Sequence, residues 1–196
     1  MSDRKITIIL ATLFMTVAVA AILAVYVWRG DGGGIAKIGG PFVLVDHTGQ
    51  ERTEADLRGR HALIYFGYTF CPDVCPTALA DMLIALDELG PDAARVQPVF
   101  ITIDPDRDTP AVLKDYIPNF HPRLIGLSGS AAQVSQAARA YRVYYAKVDE
   151  PEAGENYLMD HSSVIYLMDP DGRYLTHFSH GTGPEAMARR LRELVS

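Results

Sequence analysis

Cysteine is scarce in this chain of 196 residues: there are two, Cys71 and Cys75, with three residues between them. Two thiols are too few for a disulfide-stapled scaffold. They also cannot alone make a structural zinc site, which ordinarily takes four ligands. Positive charge is in short supply as well. Lys and Arg total 18 against 24 Asp and Glu, a formal net charge of −6. The first thirty residues hold Arg4, Lys5 and Arg29 against Asp3, a net of +2, so −8 falls on the remainder. An acidic body without a basic stripe excludes nucleic acid as its natural partner and suits a metal cation or a basic protein surface. Internal repeats and low-complexity tracts are absent, which argues against a solenoid. The 48% hydrophobic content is enough to build a packed core.

Charge of either sign is missing altogether from Ile6 to Trp28. As a helix rising about 1.5 Å per residue, these 23 residues reach roughly 34 Å, enough to cross a hydrocarbon layer of about 30 Å. Arg4 and Lys5 precede the stretch, and Tyr26 and Trp28 stand at its far end as an interfacial belt would. A cleaved signal peptide would show a shorter apolar region and a small-x-small site, whereas Trp28-Arg29-Gly30 follows here. The expected organisation is therefore a cytoplasmic N-terminus over 1–5, a transmembrane anchor over 6–28, a flexible linker over 29–40 and a folded domain over 41–196.

Within that domain apolar runs alternate with helical patterns. Phe42 to Val45 reads as a short strand, and Ala62 to Tyr68 is a continuous apolar run suited to a strand buried on both faces. Leu79, Met82, Leu83, Leu86 and Leu89 recur at helical spacing before Gly90-Pro91. Val96 to Ile103 is the next strand. Thr109-Pro110 opens a helix to about Tyr116, and Ser130 with Gln133 forms a capping box for another. Val143 to Val148 is extended, and 149–160 is a polar loop. Strands over Ser163 to Met168 and Arg173 to Phe178 flank the turn Asp169-Pro170-Asp171-Gly172, and Pro184 begins a closing helix. This order predicts an α/β domain of the thioredoxin-like kind, a central mixed sheet flanked by helices.

Chemistry concentrates in Tyr68-Thr69-Phe70-Cys71-Pro72-Asp73-Val74-Cys75-Pro76, which joins a central strand to a helix. Reactive groups in open α/β sheets gather at such strand ends. With Pro76 at the first helical position, Cys75 falls at the helix start, where the partial positive charge favours thiolate and Asp73 opposes it. Two soft thiolates suit Cu(I), and one added imidazole accommodates Cu(II). Oxidation to a disulfide is also open to the pair, with Cys71, more exposed in the loop, as the attacking thiolate and Cys75 as the resolving one. The hairpin brings two candidates for the imidazole to the same sheet edge, His161 and His180. His47, His61 and His121 fall in turns or at element ends and read as surface residues. The segment Asp104-Pro105-Asp106-Arg107-Asp108-Thr109-Pro110 also lies at this edge, either as a turn with a helix cap or as an acidic rim.

Taken together, the cysteine segment, the Asp104 to Pro110 segment and Asp160-His161-Ser162-Ser163 resemble the SCO/SenC family of copper proteins, over roughly Pro41 to Val195 plus the anchor. The resemblance implies a thioredoxin fold and copper held by Cys71, Cys75 and His161, choosing His161 over His180. It also implies copper delivery to the dinuclear copper site of cytochrome c oxidase, or reduction of that site's cysteines, by a domain in the periplasm or intermembrane space. Asp160-His161 stands where thioredoxins place a cis-proline, which favours metal work over general disulfide exchange. A thiol peroxidase drawing on Thr69 and Arg107 is the remaining alternative on this fold.

Overall fold

The computed structural model describes residues 13–21, 38–149 and 154–195. Residues 13–21 are helical (α1), with the Thr16 hydroxyl donating to the Leu13 carbonyl. Among the described residues no helix is long and apolar enough to cross a membrane. Most of the expected anchor, 6–12 and 22–28, and of the linker, 29–37, lies outside the described residues. Residues Ile38–Ser196 form one compact unit, distinct from Met1–Lys37.

That unit is built on a seven-stranded mixed sheet of order β2-β1-β5-β4-β3-β8-β9. The strands are β1 (Val43–Asp46), β2 (Glu51–Thr53), β3 (His61–Gly67), β4 (Val96–Thr102), β5 (Ile125–Ser128), β8 (Val164–Met168) and β9 (Tyr174–Ser179). Central β3 and β4 run parallel, Gly67 facing Thr102 at their carboxyl ends, and β8 returns antiparallel to β3. All seven residues of β4 are buried, as are Ala62 to Gly67 of β3, which is why neither alternates polar with apolar. Successive side chains take opposite faces. Tyr65 packs on Phe100 and Phe100 on Tyr116, the last residue of α3 (Pro110–Tyr116), while Phe66 packs on Tyr141, the C-cap of α4 (Ala131–Ala140). The two helices therefore cover opposite faces. α2 (Val74–Asp87) and α5 (Pro184–Val195) pack against each other.

The capping signals form as their chemistry dictates. Thr109 Oγ1 accepts from the Val112 amide, and Ser130 with Gln133 closes a capping box. The sequence reading did not anticipate β2 or β5, and two further features depart from it. α2 begins at Val74 rather than Pro76, so Cys75 is already inside its first turn. The polar loop before the hairpin ends in a further strand, β7 (Met159–His161), paired antiparallel with β6 (Tyr145–Lys147) as a separate ribbon, with Tyr145 opposite His161. Adjacent apolar and polar residues in so short a strand leave no period to read, and pairing alone defines it.

Candidate functional site

β3 delivers the cysteine segment, and its last residue makes room for it. A Cβ on Gly67 would stand 2.8 Å from Tyr65, 3.1 Å from Cys75 Sγ and 3.1 Å from Phe100. Only glycine lets the sulfur lie beneath the strand end. Tyr68 follows, buried, its hydroxyl accepting from the Met159 amide at 3.2 Å. Thr69 donates twice to Asp108, from its amide at 3.0 Å and its hydroxyl at 2.5 Å. Cys71 is half-buried and Cys75 fully buried, both with free thiols.

The Cys75 amide points at Cys71 Sγ, 3.4 Å away. Burial works to raise the Cys71 pKa, but donation from the Asp73 and Cys75 amides and the Tyr68 hydroxyl outweighs it and holds the thiol below its ordinary value. Cys75 goes the other way. Burial first, then the neighbouring Cys71 sulfur, push it up to about 12. The thiolate position is thus Cys71 rather than Cys75, because the helix starts two residues earlier and aims its free N–H groups backward onto Cys71.

His161, at the end of β7, reaches the same sulfur: Nε2 lies 3.3 Å from Cys75 Sγ. Nδ1 lies 3.2 Å from the Ser162 carbonyl, which only accepts, so that bond places the proton on Nδ1. Nε2 then carries the lone pair, facing Cys75. Burial lowers the His161 pKa and keeps the ring neutral, the form that ligates metals. The rings of Tyr65 and Tyr68 meet the imidazole edge-on. His180 is exposed, following β9, and lines a cleft of about 410 Å³ together with Cys71, Asp73, Asp160 and His161. Cys75 and His161 therefore meet directly, Cys71 joins them through the Cys75 amide, and exposed His180 lines the same cleft without a contact to them. As placed, no three His, Cys, Asp or Glu side chains among the described residues are gathered closely enough to hold an ion.

The remaining histidines read as surface residues are half-buried instead, two of them hydrogen-bonded to backbone amides. His47 Nδ1 accepts from the Gly126 amide, and His121 Nδ1 accepts from the Arg123 amide while its Nε2 lies 3.3 Å from Asp87. His61 is half-buried at the start of β3.

Sequence reasoning missed the interior of the Asp104 to Asp108 segment. Asp108 is fully buried, and Asp104 nearly so. Asp104 accepts from the Tyr157 hydroxyl at 2.7 Å and from Arg107 Nε at 2.5 Å. Arg107 spreads its guanidinium 3.7 Å from the Tyr157 ring centre and 4.8 Å from that of Phe70. Thr102 at the buried end of β4 and Thr69 just beyond β3 were the available signal, since hydroxyls withdrawn from water need acceptors.

Residues 31–196 match the SCO1/SenC family model. A SCO2-like protein of Rickettsia prowazekii is 48% identical over 142 residues, 72% of this chain and 69% of its own length. The copper-bound structure of Bradyrhizobium japonicum ScoI superposes with a TM-score of 0.72 at 46% identity, covering 80% of this chain and 98% of that one. Copper-bound yeast Sco1 gives a TM-score of 0.75 at 41% identity, covering 81% and 88%. The matched span holds the cysteine pair, the acidic segment and His161 on one sheet edge, and the chain belongs to the SCO1/SenC family.

Proposed function

We propose that this protein is a copper-assembly factor that carries copper on Cys71 Sγ, Cys75 Sγ and His161 Nε2 and delivers it to the dinuclear copper site of cytochrome c oxidase. One observation carries the ligand set: the lone-pair nitrogen of His161 lies 3.3 Å from the sulfur of fully buried Cys75, on a cleft that Cys71 also lines. Copper-bound Sco structures of similar sequence support the cargo. Thiolates suit Cu(I), and the imidazole adds the harder donor that Cu(II) accepts. Loading displaces the thiol protons and draws Cys71 Sγ away from the Cys75 amide towards the other two donors. Release to a partner proceeds by exchange, the incoming thiolates replacing these ligands one at a time, for which half-buried Cys71 is the accessible starting point.

The chain is read as held to the membrane by residues 6–28, with 1–5 on the cytoplasmic side, a linker over 29–40 and the domain over 41–196 on the periplasmic side. The 23 uncharged residues and their flanking Arg4, Lys5, Tyr26 and Trp28 support this arrangement.

The unequal thiols favour a second reading, reduction of the target's cysteines. The Cys71 thiolate attacks one sulfur of a partner disulfide and the other sulfur leaves as thiolate. Cys75, once deprotonated, then attacks Cys71 and releases the first. The partner gains two electrons, and Cys71–Cys75 is left oxidised. The peroxidase alternative loses its supports, because Thr69 is bound to Asp108 and Arg107 to Asp104 and the aromatic rings.

The test is copper titration of the purified chain against His161→Ala. Wild type binds one copper per chain in either oxidation state. The variant loses the thiolate-to-Cu(II) absorption and weakens Cu(II) by at least tenfold while retaining Cu(I). Unchanged Cu(II) affinity and absorption in the variant would remove His161 from the ligand set.

A further inference from the structure

The segment between β4 and α3 carries Asp104, Asp106, Arg107 and Asp108 within five residues. Capping α3 accounts for Thr109 and Pro110 but not for two nearly inaccessible carboxylates. Burying a carboxylate is costly, and the structure commits both to specific donors. Asp108 Oδ2 accepts from the Thr69 amide at 3.0 Å and the Thr102 hydroxyl at 2.6 Å, and its Oδ1 from the Thr69 hydroxyl at 2.5 Å. Its own backbone carbonyl accepts from the Ser128 hydroxyl at 2.5 Å. Asp108 thus ties the cysteine segment, two residues before Cys71, to the ends of β4 and β5.

Asp104 serves the other half of the site. Its carboxylate takes the Tyr157 hydroxyl, four residues before His161, and Arg107 lies over Tyr157 on one side and Phe70, the residue before Cys71, on the other. The histidine ribbon is not a strand of the main sheet, and these side-chain ties, with the Tyr68 hydroxyl on the Met159 amide, join it to the cysteine segment ahead of its connection into β8. We propose that the segment 104–108 keeps the two halves of the copper site in register. Asp108 is a positioning residue for the cysteines, acting through Thr69, and Asp104 with Arg107 positions His161, acting through Tyr157. The proposal rests on the copper reading of the site and goes beyond it by assigning the acidic segment to neither cargo nor partner.

Its consequence is that the two halves can be disturbed separately. Asn at 108 has one acceptor oxygen where the carboxylate has two, so one buried donor is orphaned. Tyr157→Phe removes only a hydroxyl and leaves the ring against Arg107. Thr69→Val removes a hydroxyl at similar volume and stands in for Asp108→Asn should that variant fail to fold.

The experiment uses the full chain in detergent with three readouts. These are the equilibrium of the dithiol with dithiothreitol (two electrons and two protons passing from the cysteines to oxidised dithiothreitol), Cu(II) affinity with its charge-transfer absorption, and the His161 ring resonances without copper. Asp108→Asn and Thr69→Val should shift the dithiol equilibrium by about tenfold, roughly 30 mV for two electrons. They should also weaken Cu(II). Tyr157→Phe should shift the dithiol equilibrium much less than Asp108→Asn does, since it reaches Cys75 only through His161, while it moves the His161 resonances and weakens Cu(II) by about 10–100-fold with a shifted absorption. Loss of melting temperature alone, with all three readouts as in wild type, would reduce the segment to a structural turn and overturn the proposal. An equal shift of the dithiol equilibrium by Tyr157→Phe would overturn the division into halves. A wild type that binds no copper would sink the copper reading instead, and the dithiol and resonance measurements would still decide the proposal.

Discussion

Two buried aspartates, Asp46 at the β1–β2 turn and Asp108 beside the cysteine loop, have similar surroundings by exposure and opposite chemistry. Asp46 takes its donors from its own turn: the Thr48 amide and hydroxyl at 2.8 and 2.6 Å, the Gln50 amide at 3.0 Å and Arg52 Nε at 2.8 Å. Burial alone would raise its pKa, but these donors, a cation among them, hold it well below the usual carboxylate range. Asp108 takes its donors from Thr69 and Thr102 on other elements, none of them charged, and burial leaves its pKa above the usual value. The turn carboxylate is a local staple whose charge the fold welcomes. The loop carboxylate is held against its own preference, and its bonds reach across the sheet edge to the site. A buried carboxylate whose bonds run to a reactive loop rather than to its own turn is where function is to be sought.

The largest expected effect that sharpens this contrast is on the site side. Gly67→Ala places a Cβ 2.8 Å from Tyr65 and 3.1 Å from both Phe100 and Cys75 Sγ, closer than side chains ordinarily pack. It should cost about 1–3 kcal/mol in unfolding free energy. Because Cys75 Sγ must shift, Cu(I) binding should weaken as well. Denaturant unfolding and copper titration of the one variant check both, and wild-type copper affinity would mean the sulfur has slack the structure does not show.

A smaller effect is expected at the turn. Asp46→Asn should cost about 1–2 kcal/mol at neutral pH, since the partly exposed Arg52 is screened by water. The sign follows from the lowered pKa. The folded carboxylate stays ionised where the unfolded one protonates, so its contribution is complete above about pH 5. It declines as pH falls below about 4, where the unfolded chain takes up the proton. Unfolding of wild type and variant should therefore converge at acid pH, with copper binding the same in both at neutral pH. Altered copper binding in Asp46→Asn would break the comparison between a staple and a positioning group.

Much of the frame was legible because it rests on local chemistry. The unbroken apolar runs of β3 and β4, the Thr109 and Ser130 caps and the Asp169–Gly172 turn all declare themselves within a few residues. Cys71 and Cys75 marked the candidate site by their isolation, and family resemblance was needed to prefer His161 over His180 as the proposed third ligand. What stayed hidden depends on contacts distant in sequence. Thr69 and Asp108 are 39 residues apart, and Tyr157 meets Asp104 across 53. Helix position favoured a thiolate at Cys75, because Pro76 suggested a later helix start, although loop exposure already pointed to Cys71 as the attacking thiol. The structure moves that start to Val74 and the stabilised thiolate to Cys71.

The central claim, that this site carries copper as cargo, is tested most directly by transfer. The chain loaded with one Cu(I) is mixed with the purified, reduced, copper-free oxidase subunit that houses the dinuclear site, and copper on each is followed after separation. The account predicts that copper moves to the subunit from wild type and that Cys71→Ser, lacking the accessible sulfur, transfers none. Copper retained by wild type while the same chain, metal-free, reduces the oxidised subunit would contradict it and establish thiol reduction as the function.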